Sequence, residues 1–519
     1  MSVRRRLILL LAAGAIAVAA LTIWVVLSPR TEFLPAGDVA LIESYTLHAT
    51  HGQTLLGPYS RWGWNHPGPA YFYALVPIYV LSGERTTALF AGAALLNVVA
   101  LLTLIWIVWS SARGSLAIAT AAMVSLFAVR SVDVMASPWN PHVLPLPMMA
   151  LLALAAASMS GRVWCLPAAA GCGAFLVQTH LGTAPIVSIV AVMAIVGAWL
   201  SGATQASLRR ATMAAVAVGV ALWIPPLVEE FTTTPGNMSA IVSFFGEHAG
   251  DVHDWPSAIE LWTDLLSSAV RPGAVLPWGG TIPVDRSGAA APIAFVQIAL
   301  VALGTWQAVR ERQTFLRSMG VLLLLGSATS LWAVQHITGE LVHYVVWWVA
   351  GLGVLNCAYG MDVVLNALAL RWIRAGGVVA AACSVLAAVA VVAIMTATAH
   401  VLNDPDRRLD FGLAIRRIAD EAVDYTRANG GKPLIRMNGE SWHIAAGVVV
   451  LLQKSGLPFA VEPDEVWQFS AAAAPDGTET FSITIADRRR REEIADAGGQ
   501  RAIADRDGFW AFVDPSRPR

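Results

Sequence analysis

Long apolar runs separated by short polar turns dominate the chain up to about residue 400. Runs at 7–27, 86–109, 115–132, 142–160, 163–179, 184–200, 211–228, 290–308, 318–334, 343–361 and 376–398 are, as helices, on the scale of roughly 30 Å of hydrocarbon. They predict about eleven transmembrane helices. Two stretches break the rhythm. Residues 28–85 are too polar to face lipid and too aromatic for a plain linker. Within them, Gly37-Asp38 ahead of 39–50 reads as the start of a capped amphipathic helix, and 69–81 as a second short helix along the membrane surface. The Gly-, Pro- and Trp-rich segment 52–67 forms the loop between them. Residues 229–289 hold GNMSAIVSFFGEH and SAIELWTDLLSSAV, whose apolar residues recur at helical spacing and suit interfacial helices bordering a groove. After about residue 403 the pattern turns polar. LAIRRIADEAVDYTRANG and HIAAGVVVLLQKSG read as helices, and PLIRMN, PFAVEP, FSITIA and GFWAFV as strands, which predicts a small α/β domain. The expected division is a membrane domain at 1–400 and a domain outside the membrane at 401–519.

Composition agrees with this pattern. The chain is 56% hydrophobic and 13% charged, with a mean hydropathy of +0.61, more apolar than a soluble enzyme requires. A net charge of −1 gives no electrostatic reason to expect nucleic acid. Cys165, Cys172, Cys357 and Cys383 all fall in apolar runs and suggest neither disulfides nor a metal site. The run at 7–27 after Arg4-Arg5-Arg6 is longer than a signal-peptide core and lacks a convincing cleavage site, so it is expected to be a retained first span. Arginine placement sets the sidedness. With Arg4 to Arg6 in the cytoplasm, alternation puts Arg113, Arg162, Arg209, Arg210, Arg310, Arg312, Arg317, Arg371 and Arg374 on that same side. The expected protein is multi-pass in the plasma membrane, N-terminus cytoplasmic and C-terminal domain extracytoplasmic.

Groups able to do chemistry then collect on the outer face. Asp38 and Glu43 follow the first span, where burial against aromatics can tune a carboxylate as a general base. Asp38 reads equally as a helix N-cap. His48 and His51 share a helix turn and, with Glu43 or Asp38, offer metal-ligand chemistry, although no HExxH-like signature is present. The expected cofactor is none, with a divalent metal as the alternative. His66-Pro67-Gly68-Pro69 is a rigid turn that fixes His66 beside Trp64 and Asn65. Trp139-Asn140-Pro141-His142 repeats that chemistry at another external turn, and Gln178 and His180 end a span. Arg130, near the outer boundary, fits either snorkelling or binding of a lipid phosphate. Singly each is ordinary interfacial polarity, but their gathering on one face while the other carries plain Arg turns is not. Trp62, Trp64 and Trp139 add stacking surfaces suited to sugar rings.

These residues resemble the C-type superfamily of multi-spanning glycosyltransferases that use lipid-linked sugars. The matching features are the acid after the first span (Gly37-Asp38 to Glu43), the aromatic, Pro-containing run from His66 to Tyr73, and the Asn140-Pro141 turn, over roughly residues 1–360. Trp64-Asn65-His66-Pro67-Gly68-Pro69 and Gln178-Thr179-His180 look closest to actinobacterial members. The resemblance implies transfer of a sugar from a polyprenyl-phosphate donor to an envelope glycan, lipid or protein. It also implies Asp38 as base, and Arg61, His66 or Arg130 on the donor phosphate. Trp64, Asn65, Trp139, Asn140, His142, Gln178 and His180 are expected to border the substrate groove. The chain departs from the usual pattern in reading Asp38-Val39 for a paired Asp-Glu, and His66-Pro67-Gly68 for Lys/His-Pro-Pro, which keeps Glu43 open as the base. A lipid or glycan flippase, with polar groups near the bilayer midplane, and a non-enzymatic envelope assembly protein are the alternatives.

Overall fold

The computed structural model describes residues 33–271, 288–368, 376–403, 411–497 and 500–516, with positions 14 and 20. The expected first span, Arg4 to Arg6, Arg371 and Arg374 lie outside the described residues. Two helices come first, α1 (Gly37–Thr50) and α2 (Ala70–Leu81). The apolar helices α3 (Thr87–Ser111), α4 (Gly114–Arg130), α5 (Pro145–Met159), α6 (Leu166–Thr179), α7 (Ala184–Leu200) and α8 (Gln205–Thr232) follow. After α9 (Asn237–Glu247) and α10 (Trp255–Ser267) come α11 (Ala290–Arg310), α12 (Thr314–Gln335), α13 (Trp348–Ala367) and α14 (Gly376–Asn403). Each expected span after the first thus has its helix. Eight helices among the described residues are long and apolar enough to cross a membrane, while α4 and α6 are shorter apolar helices. The spans do not share one environment. In the most apolar stretch of the span that includes α5, 94% is buried within the protein, against only 11% in that of α8, so α5 is central and α8 presents Val216 and Val220 outward.

The two ends of the bundle differ in chemistry. At one end, Arg113 between α3 and α4 makes a two-nitrogen contact with the fully buried Asp362 of α13, through Nε at 3.1 Å and Nη2 at 2.8 Å. Ser115 donates to the same carboxylate, and Arg162 donates to Ser110 across the neighbouring turn. These arginines are tied to the turns that the charge pattern groups together. The opposite end carries α1, α2, α9 and the turns holding Asn140, His180 and His336.

Two helices depart from the sequence expectation. α1 is buried all round rather than amphipathic. Val39, Ile42 and Tyr45 join the core of the spanning bundle, while Ala40 and Leu41 join that of the C-terminal unit. A helix packed on both sides has no polar stripe to show. α10 is strongly amphipathic as expected, but its apolar face is sunk in the bundle, with Trp262 Nε1 donating to Ser330 of α12 at 2.8 Å. It therefore packs as part of the bundle, and only α9 borders the groove.

The C-terminal unit pairs α15 (Gly412–Asn429) and α16 (Trp442–Lys454) with a five-stranded sheet. The strands are β1 (Pro433–Arg436), β2 (Ala460–Val461), β3 (Phe481–Ala486), β4 (Arg501–Arg506) and β5 (Phe509–Asp514), in the order β2-β1-β3-β5-β4. β1 runs parallel to β2 and β3, and β5 is antiparallel to both β3 and β4. β4 escapes the sequence pattern because RAIADR is a largely exposed edge strand held by its pairing with β5.

Candidate active site

The site begins with a local crossing of backbone. Residues 57–66 fold back on themselves, with Gly57 N–H donating to His66 O at 2.9 Å, Ser60 N–H to Trp64 O at 2.9 Å and His66 N–H to Pro58 O at 2.8 Å. Gly57 is required there, because an added Cβ would stand 2.7 Å from the carbonyl oxygens of both His66 and Gly68. This tight loop presents Tyr59, Arg61, Trp62, Trp64 and His66 to one cavity of about 670 Å³ at the end of the bundle opposite Arg113. Asp38, Trp139, Asn140, His180, Tyr344 and the α9 phenylalanines Phe244 and Phe245 line the same space.

Asp38 is not the N-cap of α1. That place belongs to Ala36, which has no side chain to cap with, and Asp38 sits in the first turn with its carboxylate accepting a hydrogen bond from the Tyr59 hydroxyl. Burial pushes the Asp38 carboxyl above the ordinary carboxylate range, and the Tyr59 hydrogen bond pulls it partly back. Burial and the nearby carboxylate push the Tyr59 phenol up, so this hydroxyl stays protonated and donates.

The cationic wall is Arg61. Its guanidinium lies 4.8 Å from the centre of the Trp62 ring and donates to the backbone oxygens of Thr338 at 3.4 Å and Glu340 at 3.2 Å. His66 contributes a different group. Its Nδ1 accepts the Leu181 N–H at 3.1 Å, which places the ring proton on Nε2, and its ring lies 4.5 Å from that of His180. Burial first, then His180, holds the His66 imidazolium well below its usual range, so His66 offers a neutral donor rather than a charge.

The other candidates stand apart from the cavity. Glu43 is fully buried, accepts from Tyr79 at 3.0 Å and Thr86 at 2.7 Å, and is ion-paired with Lys454 of α16. His48, considered as a metal ligand, bonds instead to Gln453 of that helix at 2.9 Å. Asn65 donates to Tyr45 at 3.1 Å and exchanges two bonds with Asn237, both at 2.8 Å. Gln178 ties α2 to α8, accepting from Ala70 N–H and donating to Leu222 O. His142 stacks on Trp347 at 4.1 Å, and Arg130 donates to Arg271 O at 2.6 Å. These five and Glu43 support the walls from behind. Asn140 lines the cavity and also fixes it, donating to Thr179 O at 3.1 Å.

Residues that the sequence reading did not single out complete the setting. Tyr59 is the direct partner of Asp38, and its only advance signal is a position between Pro58 and Arg61 in a loop rich in turn residues. Asp264 and Arg271 form a buried ion pair at 3.2 Å. Asp264 falls on the stripe of Glu260, four residues earlier, so the spacing in α10 carries no signal for that pair.

Bundle, surface helices, aromatic loop and cavity together define a fold that solved membrane-protein structures share. The chain is similar to ArnT from Cupriavidus metallidurans bound to undecaprenyl phosphate, with a TM-score of 0.55 and 14% identity over 100% of both chains. The same protein in the apo state gives a TM-score of 0.50 and 13% identity over 97% of this chain and 99% of that one. At such identity the likeness concerns the fold, and it extends through the C-terminal unit rather than ending near residue 360 as the motifs suggest. No protein-family profile and no curated protein sequence matches the chain.

Proposed function

We propose that the protein is a membrane glycosyltransferase that moves a sugar from a polyprenyl-phosphate donor to a hydroxyl of a cell-envelope acceptor on the outer side of the membrane. The observation that carries this reading is the Asp38 carboxylate, held by Tyr59 at the wall of an aromatic-lined cavity that also contains Arg61. The likeness to ArnT, solved with undecaprenyl phosphate, supports a donor of that class. Outer sidedness rests on the arginine clusters at the opposite end of the bundle. A cavity at one end of the spans, rather than at mid-depth, favours a surface reaction over flipping.

Each group then has a role. Asp38 accepts the proton of the acceptor hydroxyl as that oxygen bonds to the anomeric carbon. The bond from that carbon to the phosphate oxygen breaks, and the phosphate leaves with the electron pair. Direct displacement inverts the anomeric centre. Arg61 meets the charge gathering on the phosphate, and the neutral His66 donates a hydrogen bond from Nε2. The Trp62, Trp64 and Trp139 rings supply apolar faces for the sugar. Glu43, enclosed between α1, α2 and α16, does not line the cavity and serves as the partner of Lys454.

The test is transfer of label in membranes incubated with a panel of radiolabelled polyprenyl-phosphate sugars. Wild-type membranes transfer at least one of them, and silence across the panel from correctly folded protein removes the reading. Arg61→Ala raises the donor KM by about tenfold, the loss of one charge-assisted contact. An unchanged donor KM takes Arg61 out of the phosphate site. The pH profile carries its own sign. A base works ionised, and the Asp38 carboxyl is raised, so kcat/KM falls on acidification along a limb lying above the ordinary carboxylate range. A limb at the ordinary value means that Asp38 does not control the rate.

A further inference from the structure

The C-terminal unit contributes no residue to the cavity lining described above, yet it reaches the Asp38 partner from behind. The Tyr59 ring lies 5.4 Å from the ring of Trp467 and 6.3 Å from that of Trp442, both in the C-terminal unit. Trp442 is itself fixed, since its Nε1 donates to Gln468, which donates in turn to Glu465. Trp442 also abuts the residue before Asp38. Gly37 has φ of +51°, and a Cβ there would stand 3.2 Å from a Trp442 ring atom. Further along α1, Glu43 binds Lys454, and Ser44 and His48 bind Gln453, so α1 is docked along the length of α16.

We propose that Trp467 and Trp442 are positioning residues that clamp Tyr59, so that the C-terminal unit sets the hydrogen bond on Asp38 without touching substrate. A phenol reaching a carboxylate with no packing behind its ring would sample several rotamers. Two indole rings behind it restrict that freedom and keep the hydroxyl on the carboxylate oxygen. The role assigned to Asp38 in catalysis rests on the proposed function, whereas the clamp on its hydrogen bond does not. The other titratable or charged groups of the same cavity are Arg61, His66, His180, His248, Asp251, His336 and Tyr344, with His443 beside Gly37 on α16 and Glu465 linked through Gln468 to Trp442.

The test reads Asp38 directly. Carbodiimide attacks protonated carboxyls, so its labelling of Asp38 in the purified full-length protein, followed by peptide mass spectrometry across acidic to neutral pH, reports the ionisation midpoint. Tyr59→Phe removes a donor to the carboxylate and moves the midpoint up by about one pH unit. Trp467→Ala moves it in the same direction, Trp467→Phe stays close to wild type, and the double variant Tyr59→Phe/Trp467→Ala moves no further than Tyr59→Phe alone. A Trp467→Ala profile superimposed on wild type, or shifts that add in the double variant, overturns the clamp. Transfer assays on the same variants keep the two ideas apart. If Asp38→Asn transfers at the wild-type rate, Asp38 is not the base, while the labelling midpoints still decide the role of Trp467.

Discussion

Asp38→Asn lowers sugar transfer by about a hundred- to ten-thousand-fold, the range expected when a positioned general base is lost. The substitution keeps the shape of the side chain and an oxygen able to accept the Tyr59 hydroxyl, but removes the site that takes the proton. Stability does not confound the result. The Asp38 carboxyl is raised on folding, so the folded state binds the proton more tightly than the unfolded chain does. Between the ordinary carboxylate range and the raised value, stability therefore falls as pH rises. The amide has no such penalty, and Asp38→Asn is expected to unfold no earlier than wild type at neutral pH. The measurement is label transfer from the radiolabelled donor, alongside thermal unfolding in detergent. A folded variant with undiminished transfer ends the assignment of Asp38 as base.

Lys454→Ala lowers stability by about 3 kcal/mol and loosens the C-terminal unit from the bundle. Glu43 has no exposed surface, while the Lys454 side chain keeps 22% of its own, so the loss falls chiefly on the acid left behind. Tyr79 and Thr86 still donate to the carboxylate, but neither neutralises it. Lys454 also donates to the Glu84 carbonyl at 2.9 Å, so the loop after α2 loses its tether as well. Glu43→Gln/Lys454→Met, which removes both charges and keeps most of the volume, recovers most of the loss. The unfolding midpoint in detergent, with limited proteolysis between α14 and α15, separates these outcomes. Equal stability of Lys454→Ala and wild type shows that the pair contributes nothing net.

How far the site is legible in advance depends on which residues are considered. Asp38, Arg61, Trp64, His66, Trp139, Asn140 and His180 stand in polar or aromatic turns at one end of apolar spans, and all line the cavity. Position relative to the membrane was enough to group them. Gln178, His142, Asn65 and Arg130 share that position but turn away, because Gln178 bridges α2 and α8 and the others bond to backbone, rings or amides around the cavity. Sequence proximity to a surface does not say which way a side chain points. Asp38 and Glu43 show the limit most plainly. They are five residues apart on one helix, which turns them about 140° from each other, and the docking of α16 decides which of the two directions meets Lys454 and which the cavity.

Hydrophobic spacing and arginine placement were sufficient for the class of molecule, the number and bounds of most spans, and the contrast between the two ends of the bundle. Those features follow from a strong local rule, since backbone polar groups in lipid must be satisfied within each helix and each run must match the bilayer thickness. Tertiary structure alone decided that α1 is buried on both sides, that α10 sinks into the bundle, and that Tyr59 rather than a cap interaction holds Asp38. Each of those outcomes depends on contacts between segments distant in the chain. Asp38 is linked to Tyr59, and Tyr59 to Trp442 and Trp467, by packing that no local pattern of residues records.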